Sequence, residues 1–576
     1  MIKAKIENLL KQAVGKKAAT IEVFPPDNEK FGHYSTNIAL KMAKIEKANP
    51  LLLAEKIVKN LNEKSPKNFF EKIEIVAPGF INFWLSEKIL SEELKSIIKK
   101  DKNYGKSDTW KNKKAIVEFT DPNPFKEFHI GHLYSNIVGE TLARIFEKNG
   151  AKVKRANYQG DVGMHVAKAI WGMMKKMKSE DLSLAQLSKQ TLDHKVKFMG
   201  ESYSLGAKAF EEDEKAKLEI TDLNRKIFAL DKEIKDIYIK GRKWSLEYFE
   251  KIYKRLGVKF DFYYLESKVA EIGAKLVREN LKKGIFEISE GAVVFPGEKY
   301  GLHRRVFINS NGLPTYEAKE LGLAPTKFKN FPYDISIIVT GNEIIDYFKV
   351  LLAALNKINP KLAKRTKHIT HGMIRLPSGK MSSRTGDVIK AEDLLEKIKI
   401  GALKTLMSSK REKITKSKEQ EVAEMISIGA VKYSLLKASL GSDIIFDFEK
   451  SLSFEGDSGP YLQYTYARLK SILRKAGHFP SKTDFMLLKT DSEKSLIRQL
   501  IYFPEVIVRA AETRETNIIT EYLFKLATAI NYFYEKEPIL KVLKLLRGNR
   551  LNLIHAATIV LKNGLEILGI KTPEKM

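Results

Sequence analysis

Four consecutive residues, His129-Ile130-Gly131-His132, have the types and spacing for phosphate chemistry. They follow a β-rich run, AIVEFT, and a Pro-containing loop, DPNPFKEF, and they open a helical stretch over residues 131–149. A helix N-terminus behind a parallel strand offers unpaired N–H groups and positive dipole to an anion, and a glycine there lets a nucleotide approach the backbone. Two imidazoles at that point can donate hydrogen bonds to an α-phosphate as it becomes five-coordinate, which is the electrostatic help nucleotidyl transfer needs. With 10 His and 34 Gly in 576 residues, an H-x-G-H arises by chance about 0.01 times, so the motif counts as a signal.

A second segment, SGKMSSRTGD at residues 378–387, combines small, polar and basic side chains after the apolar run ITHGMIRL. Lys380 offers a point charge, Ser382 and Ser383 offer hydroxyls, and Gly379 and Gly386 supply hinges for a loop that closes over a polyphosphate. By itself it reads as a basic surface loop. Beside the H-x-G-H it reads as the other half of a nucleotide site.

The elements that must hold these groups follow from periodicity. AIVEFT, the helical stretch and VKRANY form a βαβ unit, the sign of a parallel sheet. Residues 165–285 are mostly charged and helical in spacing, as expected for a helical insertion, before strand character returns at GAVVF, RRVFI and DISIIVTG. This predicts an α/β domain over 106–395. Residues 1–105 read as a small mixed domain. It has a strand over 21–24, helices from about residues 35 and 51, and the run IEIVAPGFINFWLS, broken by the turn Pro78-Gly79. The remainder, 396–576, is a series of amphipathic helices with interleaved aromatics, read as an all-α bundle. The fold class expected is therefore multidomain α/β, with a small N-terminal α+β domain and a C-terminal helical bundle.

Composition narrows the chemistry and the partners. Lys plus Arg number 101 against 71 Asp plus Glu, a formal charge of +30 that favours a polyanion, most simply a nucleic acid. The absence of cysteine excludes disulfides, Cys-ligated zinc and thiol catalysis. The opening residues read as an amphipathic helix and no apolar run reaches ~18 residues, so a cytoplasmic protein, mature from its first residues and without a membrane span, is expected.

The two motifs together resemble the HIGH and KMSKS signatures of class I aminoacyl-tRNA synthetases, whose catalytic domain is a Rossmann-type fold split by an insertion. VEFTDPNPFKEFHIGHLYSNIVGETLARIFEKNG, RLGVKFDFYYLES, GLPTYEAKELG and GDSGPYLQYTYARLKSIL are similar to blocks of the arginyl branch, as is the ending NRLNLIHAATIVLKNGLEILGIKTPEKM. FGHYSTNIALKMAK resembles that branch's N-terminal module at the tRNA elbow, and the C-terminal bundle its anticodon-binding domain. The resemblance implies arginine activation by ATP and transfer to the 3′-terminal adenosine of tRNA(Arg). Mg²⁺ would accompany the nucleotide, no protein-bound metal is implied, and the chain is expected to act as a monomer.

Carried over residue by residue, His129, His132, Lys380 and Lys126 become the catalytic candidates. His129, Gly131, His132, Met381, Ser382, Ser383 and Arg384 become ATP contacts. Glu118, Asn123, Tyr316, Glu320 and Asn342 match positions that hold arginine, with Glu343 beside them. Glu320 stands where the family usually has Asp, and Ser383 replaces the usual second lysine, a charge that Arg384 or Lys126 can supply. In the bundle, Tyr461, Gln463, Tyr466 and Arg468 combine stacking faces with polar groups for unpaired bases, with Tyr461 and Tyr464 able to pack inward instead. Two rivals stay open. A cysteinyl enzyme is opposed by the missing zinc ligands, and a non-catalytic tRNA-binding scaffold by the intact H-x-G-H.

Overall fold

The computed structural model describes residues 1–15, 20–375, 390–408, 415–478 and 484–576. Its centre is a five-stranded, all-parallel sheet built from β1 (Lys114–Glu118), β2 (Lys152–Gln159), β3 (Phe262–Leu265), β4 (Ile335–Gly341) and β5 (Thr366–His371), in spatial order β5-β4-β1-β2-β3. The order reverses at β1. Connections leave β1 toward β2 on one side and neighbour β4 on the other, and the crevice at such a switch point is where open α/β sheets bind ligands.

Helix α1 (Ile130–Lys148) makes the first crossover and is buried along most of its length. Its close seat on β1 depends on Gly139, where a Cβ would fall 2.2 Å from Phe119 Cγ. The helices that bear on the site are α2 (Lys235–Leu256), α3 (Glu266–Leu281) and α4 (Tyr316–Asn330).

Three expectations change. The span 165–285 contains β3, the edge strand of the main sheet, because the short aromatic run FYYL pairs with Ala156–Gln159 in register. Four residues between two long helical patterns carry too little periodicity to announce themselves. GAVVF and RRVFI do form strands, but they join Glu287–Ser289 in a separate antiparallel sheet of three. Near the N-terminus, Ser35 lies in a strand, Tyr34–Thr36, and the helix starts at Ile38. Pairing with Ile81–Phe83 decides this, and Thr36 Oγ1 accepts the Ile38 N–H.

The N-terminal four-stranded antiparallel sheet docks on the C-terminal helices. Tyr34 Oη donates to Glu505 at 2.7 Å and Arg498 donates to the Gly32 carbonyl at 2.7 Å. One apolar core runs through both and into the central parallel sheet. The C-terminal part is helical, including α5 (Lys416–Leu436), α6 (Gly459–Ala476) and α7 (Asp491–Thr513). Among the described residues no helix is long and apolar enough to cross a membrane.

Candidate active site

The sequence at the end of β1 forces a sharp turn, and the turn is strained. Thr120 (φ 78°), Asp121 (φ 44°) and Phe125 (φ 68°) all sit in the left-handed region, which a β-branched residue such as Thr rarely enters. Neighbouring elements hold the strain in place. The Thr120 N–H donates to Ser135 Oγ on α1 at 2.9 Å, and Ser135 Oγ donates in turn to the Val339 carbonyl on β4. Asn136 bonds Thr120 Oγ1, and the Tyr158 N–H donates to Asp121 Oδ1. The start of α1 is thereby fixed against three neighbouring strands.

At that start the two histidines cap the helix with their own rings. His129 Nδ1 accepts from the Gly131 N–H at 3.1 Å, and His132 Nδ1 accepts from the His129 N–H at 3.3 Å. The rings stack with centroids 3.6 Å apart. Because each Nδ1 accepts, each ring carries its proton on Nε2, and that N–H is the group left to donate to a ligand. Burial lowers the His129 pKa to about 4, with the charge of Lys126 adding to it. Burial and the neighbouring His129 hold His132 well below the usual value. Both are neutral donors at pH 7, so positive charge must come from elsewhere. Lys126 supplies it nearby: its field acts on both rings, and its Nζ lies 4.4 Å over the ring of Tyr203. A Cβ at Gly131 would press on the His129 ring, 3.0 Å from Cε1, so a larger residue would shift that imidazole.

Lys380, Met381, Ser382, Ser383 and Arg384 lie outside the described residues. The described chain resumes beside the histidines: Lys390 forms an antiparallel bridge with His129, and the Ala391 N–H donates to the Phe128 carbonyl.

Below the strand ends lies a cavity of about 470 Å³. Of the arginine-site candidates, Glu118, Asn123, Tyr316, Glu320 and Glu343 line it, whereas Asn342 does not and hydrogen-bonds Asp443 instead. Six carboxylates face this space: Glu118, Asp121, Glu266, Glu317, Glu320 and Glu343. Three are matched by internal cations. Lys327 Nζ reaches Glu118 at 2.6 Å, Lys319 pairs with Glu266, and Arg305 reaches Glu317 at 3.1 Å. Burial and the Glu118 charge raise the Glu320 pKa to about 8 and push Asp121 well above the carboxylate range. The cavity is therefore a site short of positive charge, as a cationic ligand requires.

Lys319, Lys327, Asp121 and Glu266 were not legible as site residues, although Lys319 and Lys327 fall three and eleven residues after Tyr316 on one helix. Another buried group, Asp161, accepts from Tyr238, Arg242 and both the N–H and Oγ of Ser267, and so ties the end of β2 to α2 and α3.

The C-terminal candidates divide. Gln463 is fully buried, its amide donating to the Met425 and Lys571 carbonyls, and Tyr466 is 3% exposed within the core. Both are turned inward, because the face of α6 that carries them packs on α5. Tyr461 Oη accepts from Asn531 at 2.7 Å. Arg468 lies over the rings of Tyr464 and Tyr534, and these three line a cavity of about 340 Å³ with Arg474, Lys475 and Lys575.

Three family models match the chain. They are "tRNA synthetases class I (R), catalytic domain" over residues 93–448, "DALR anticodon binding domain" over 462–576, and "Arginyl tRNA synthetase N terminal domain" over 1–85. An arginine–tRNA ligase of Clostridium acetobutylicum is 33% identical over 542 residues, 93% of this chain and 92% of that one. Another, from Fusobacterium nucleatum, is 34% identical over 99% of this chain and 97% of its own. The Thermus thermophilus arginyl-tRNA synthetase structure superposes at a TM-score of 0.83, covering 100% of both chains at 24% identity. A Mycobacterium tuberculosis methionyl-tRNA synthetase in complex with methionyl-adenylate reaches 0.51, covering 80% of this chain and 91% of its own at 13% identity.

Proposed function

The chain belongs to the arginyl-tRNA synthetases, and from that premise we propose how its residues activate arginine with ATP and pass it to tRNA(Arg). The observation that carries the assignment of parts is the acid-rich cavity at the sheet's switch point, in a chain that also stacks the two histidines at the start of α1. Arginine enters with its guanidinium toward Glu320, beside the Lys327-bound Glu118, because a planar cation with parallel N–H groups suits a carboxylate that accepts in pairs. Asn123 and Tyr316 steer the rest of the amino acid, and Gly160 leaves room for Asn123, whose Oδ1 would stand 2.3 Å from a Cβ there.

In the first step the arginine carboxylate oxygen attacks the α-phosphate, the bond to the β-phosphate oxygen breaks, and pyrophosphate leaves. The Nε2–H groups of His129 and His132 donate to the α-phosphate oxygens as charge gathers there, and the N-terminus of α1 adds its dipole. Donors already locked by their own Nδ1 bonds need no reorganisation in the transition state. Lys126 brings the cation that neutral imidazoles lack. Lys380, with Met381, Ser382, Ser383 and Arg384, closes over the polyphosphate from the segment that ends beside His129. Mg²⁺ would accompany the nucleotide as its counter-ion and supply charge to the phosphates. In the second step a ribose hydroxyl of the terminal adenosine attacks the activated carbonyl, and AMP leaves.

Residues 1–105 contact the tRNA elbow, residues 106–395 carry the chemistry, and residues 396–576 bind the anticodon. Arg468 and Tyr461 remain the proposed RNA contacts of the last unit, joined by Tyr464 and Tyr534. In this reading the enzyme acts as a cytoplasmic monomer. Charging of total tRNA with each of the twenty labelled amino acids, by wild type and His132→Ala, tests the whole reading. Arginine alone should be charged, and the variant should lose the activity. Charging by a different amino acid would overturn the pocket assignment.

A further inference from the structure

Helix α4 gives Tyr316, Glu317 and Glu320 to the cavity lining, and Lys327 lies on the same side of the helix, behind that lining. Tyr316, Glu320 and Lys327 are spaced four and eleven residues from the first, which at about 100° per residue puts them within about 40° of one another around the axis. Lys327 is the unexpected member. It is 1% exposed, and its Nζ donates to Glu118 Oε2 at 2.6 Å, so one oxygen of the carboxylate at the end of β1 is engaged before any ligand arrives. Burial alone would favour the uncharged amine, yet Glu118, Tyr333 and Glu320 keep the ammonium charged and its pKa raised. Among the described residues Glu320 makes no ion pair.

The other groups facing this cluster are Asp121 from the turn after β1, Tyr158 from β2, Tyr264 from β3, Glu266 from α3 and Tyr347 from the helix after β4. Lys327 is the cation bonded to Glu118 and the one acting on Asp121 and Glu320 alike. Removing it would leave two carboxylates competing for one ligand cation. An arrangement of two free acids no longer demands the flat, paired N–H geometry that a single carboxylate reads best in a guanidinium.

We propose that Lys327 is a positioning residue for amino-acid selection: it fixes Glu118 in one orientation and leaves Glu320 as the carboxylate that chooses a guanidinium over an ammonium. This rests on the reading that the cavity holds arginine. Its effect falls on arginine binding and discrimination rather than on the chemical step, because Lys327 lies behind Glu118 and away from the histidine pair.

The test is steady-state charging of tRNA(Arg) by the full-length enzyme, between about pH 6.5 and 9, comparing wild type with Lys327→Met, Lys327→Arg and Glu320→Gln. Lys327→Met should raise the KM for arginine by about tenfold with kcat within about twofold, the scale of a lost charge-assisted bond. It should also move the pH dependence of KM and reduce the preference for arginine over lysine, while Lys327→Arg restores all three. A Lys327→Met enzyme with wild-type KM, pH profile and discrimination would overturn the proposal, provided Glu320→Gln does raise KM. An unchanged KM in Glu320→Gln would overturn the pocket reading and the proposal with it. Should Lys327→Met fail to fold, a comparison of Glu118→Gln with Glu118→Gln/Lys327→Met decides. With Glu118 already neutral the second change should add nothing to KM, and an additive rise would count against a role exercised through Glu118.

Discussion

His132 accepts a hydrogen bond at Nδ1 from the backbone N–H of His129, 3.3 Å away, with the two imidazoles stacked 3.6 Å apart. The motif thus caps its own helix and in doing so keeps the proton of each ring on Nε2, as a donor for a ligand. One pair of side chains serves both the stability of α1 and the reaction.

These two roles separate in mutants. His132→Ala should lower kcat for arginine-dependent ATP–pyrophosphate exchange, with tRNA present, by about 10²–10³, the usual loss when an aligned donor is removed. His129→Asn keeps an N-cap acceptor, so its melting temperature should stay close to wild type while its activity falls. Burial depresses the folded-state pKa of His129 to about 4, so the unfolded chain binds more protons between about pH 4 and 6.5. The stability this contributes is complete above about pH 6.5 and is lost as pH falls toward 4. Urea melts at a series of pH values should show that decline, and it should be shallower in His129→Asn. An acid limb near pH 6.5 in the kcat profile that disappears in His129→Asn would contradict neutral donors.

Glu320 gives arginine binding its own pH dependence. Its carboxyl titrates near pH 8 in the empty cavity, raised by burial and by Glu118, whereas a bound guanidinium requires the ionised form. Binding therefore releases a proton, and the affinity for arginine should rise as pH climbs from about 6.5 to 8 and then level off. Calorimetric titration of arginine in buffers of different ionisation enthalpy measures that proton directly. Glu320→Gln should bind arginine about tenfold to a hundredfold more weakly and lose the pH slope. A steep slope retained in Glu320→Gln would assign the titration elsewhere, with Asp121 the next group to replace.

The C-terminal helix α6 separates RNA contact from packing. Arg468 reaches the cavity shared with Tyr464 and Tyr534, while Gln463 is sealed between the Met425 and Lys571 carbonyls. Arg468→Ala should raise the KM for tRNA(Arg) about tenfold and flatten its dependence on salt, with a smaller loss of melting temperature from its bonds to Asn531 and Tyr464. Gln463→Ala should do the reverse and lower stability by about 1–3 kcal/mol, because two carbonyls lose a buried donor. A fluorescence binding titration beside a thermal melt on each variant distinguishes the two.

The parallel sheet was legible because strands such as AIVEFT and DISIIVTG read as short runs rich in apolar and β-branched residues, and because a long helical stretch sits between the first two. β3 was not legible, since FYYL becomes a strand through pairing with β2 and not through any pattern of its own. The site divides in the same way. His129, Gly131 and His132 are contiguous, so their chemistry could be read in one window, and Glu118, Tyr316 and Glu320 came from resemblance alone. Nothing in the sequence around Lys327 or Glu266 distinguishes them from other charged residues on helices.

By itself the sequence determined two histidines at a helix start, the strand–turn–helix that carries them, the basic charge that suits a nucleic acid and the lack of thiol chemistry. These depend on local spacing and on composition, which no fold can alter. Only the tertiary structure decided which carboxylates share a cavity, which of them are neutralised by Lys327, Lys319 and Arg305, and which of the α6 candidates face solvent. Those outcomes depend on distances between groups as far apart in sequence as Glu118 and Lys327, and on the removal of water around them. Burial turned a pair of unremarkable charges 209 positions apart into one fixed element of the site.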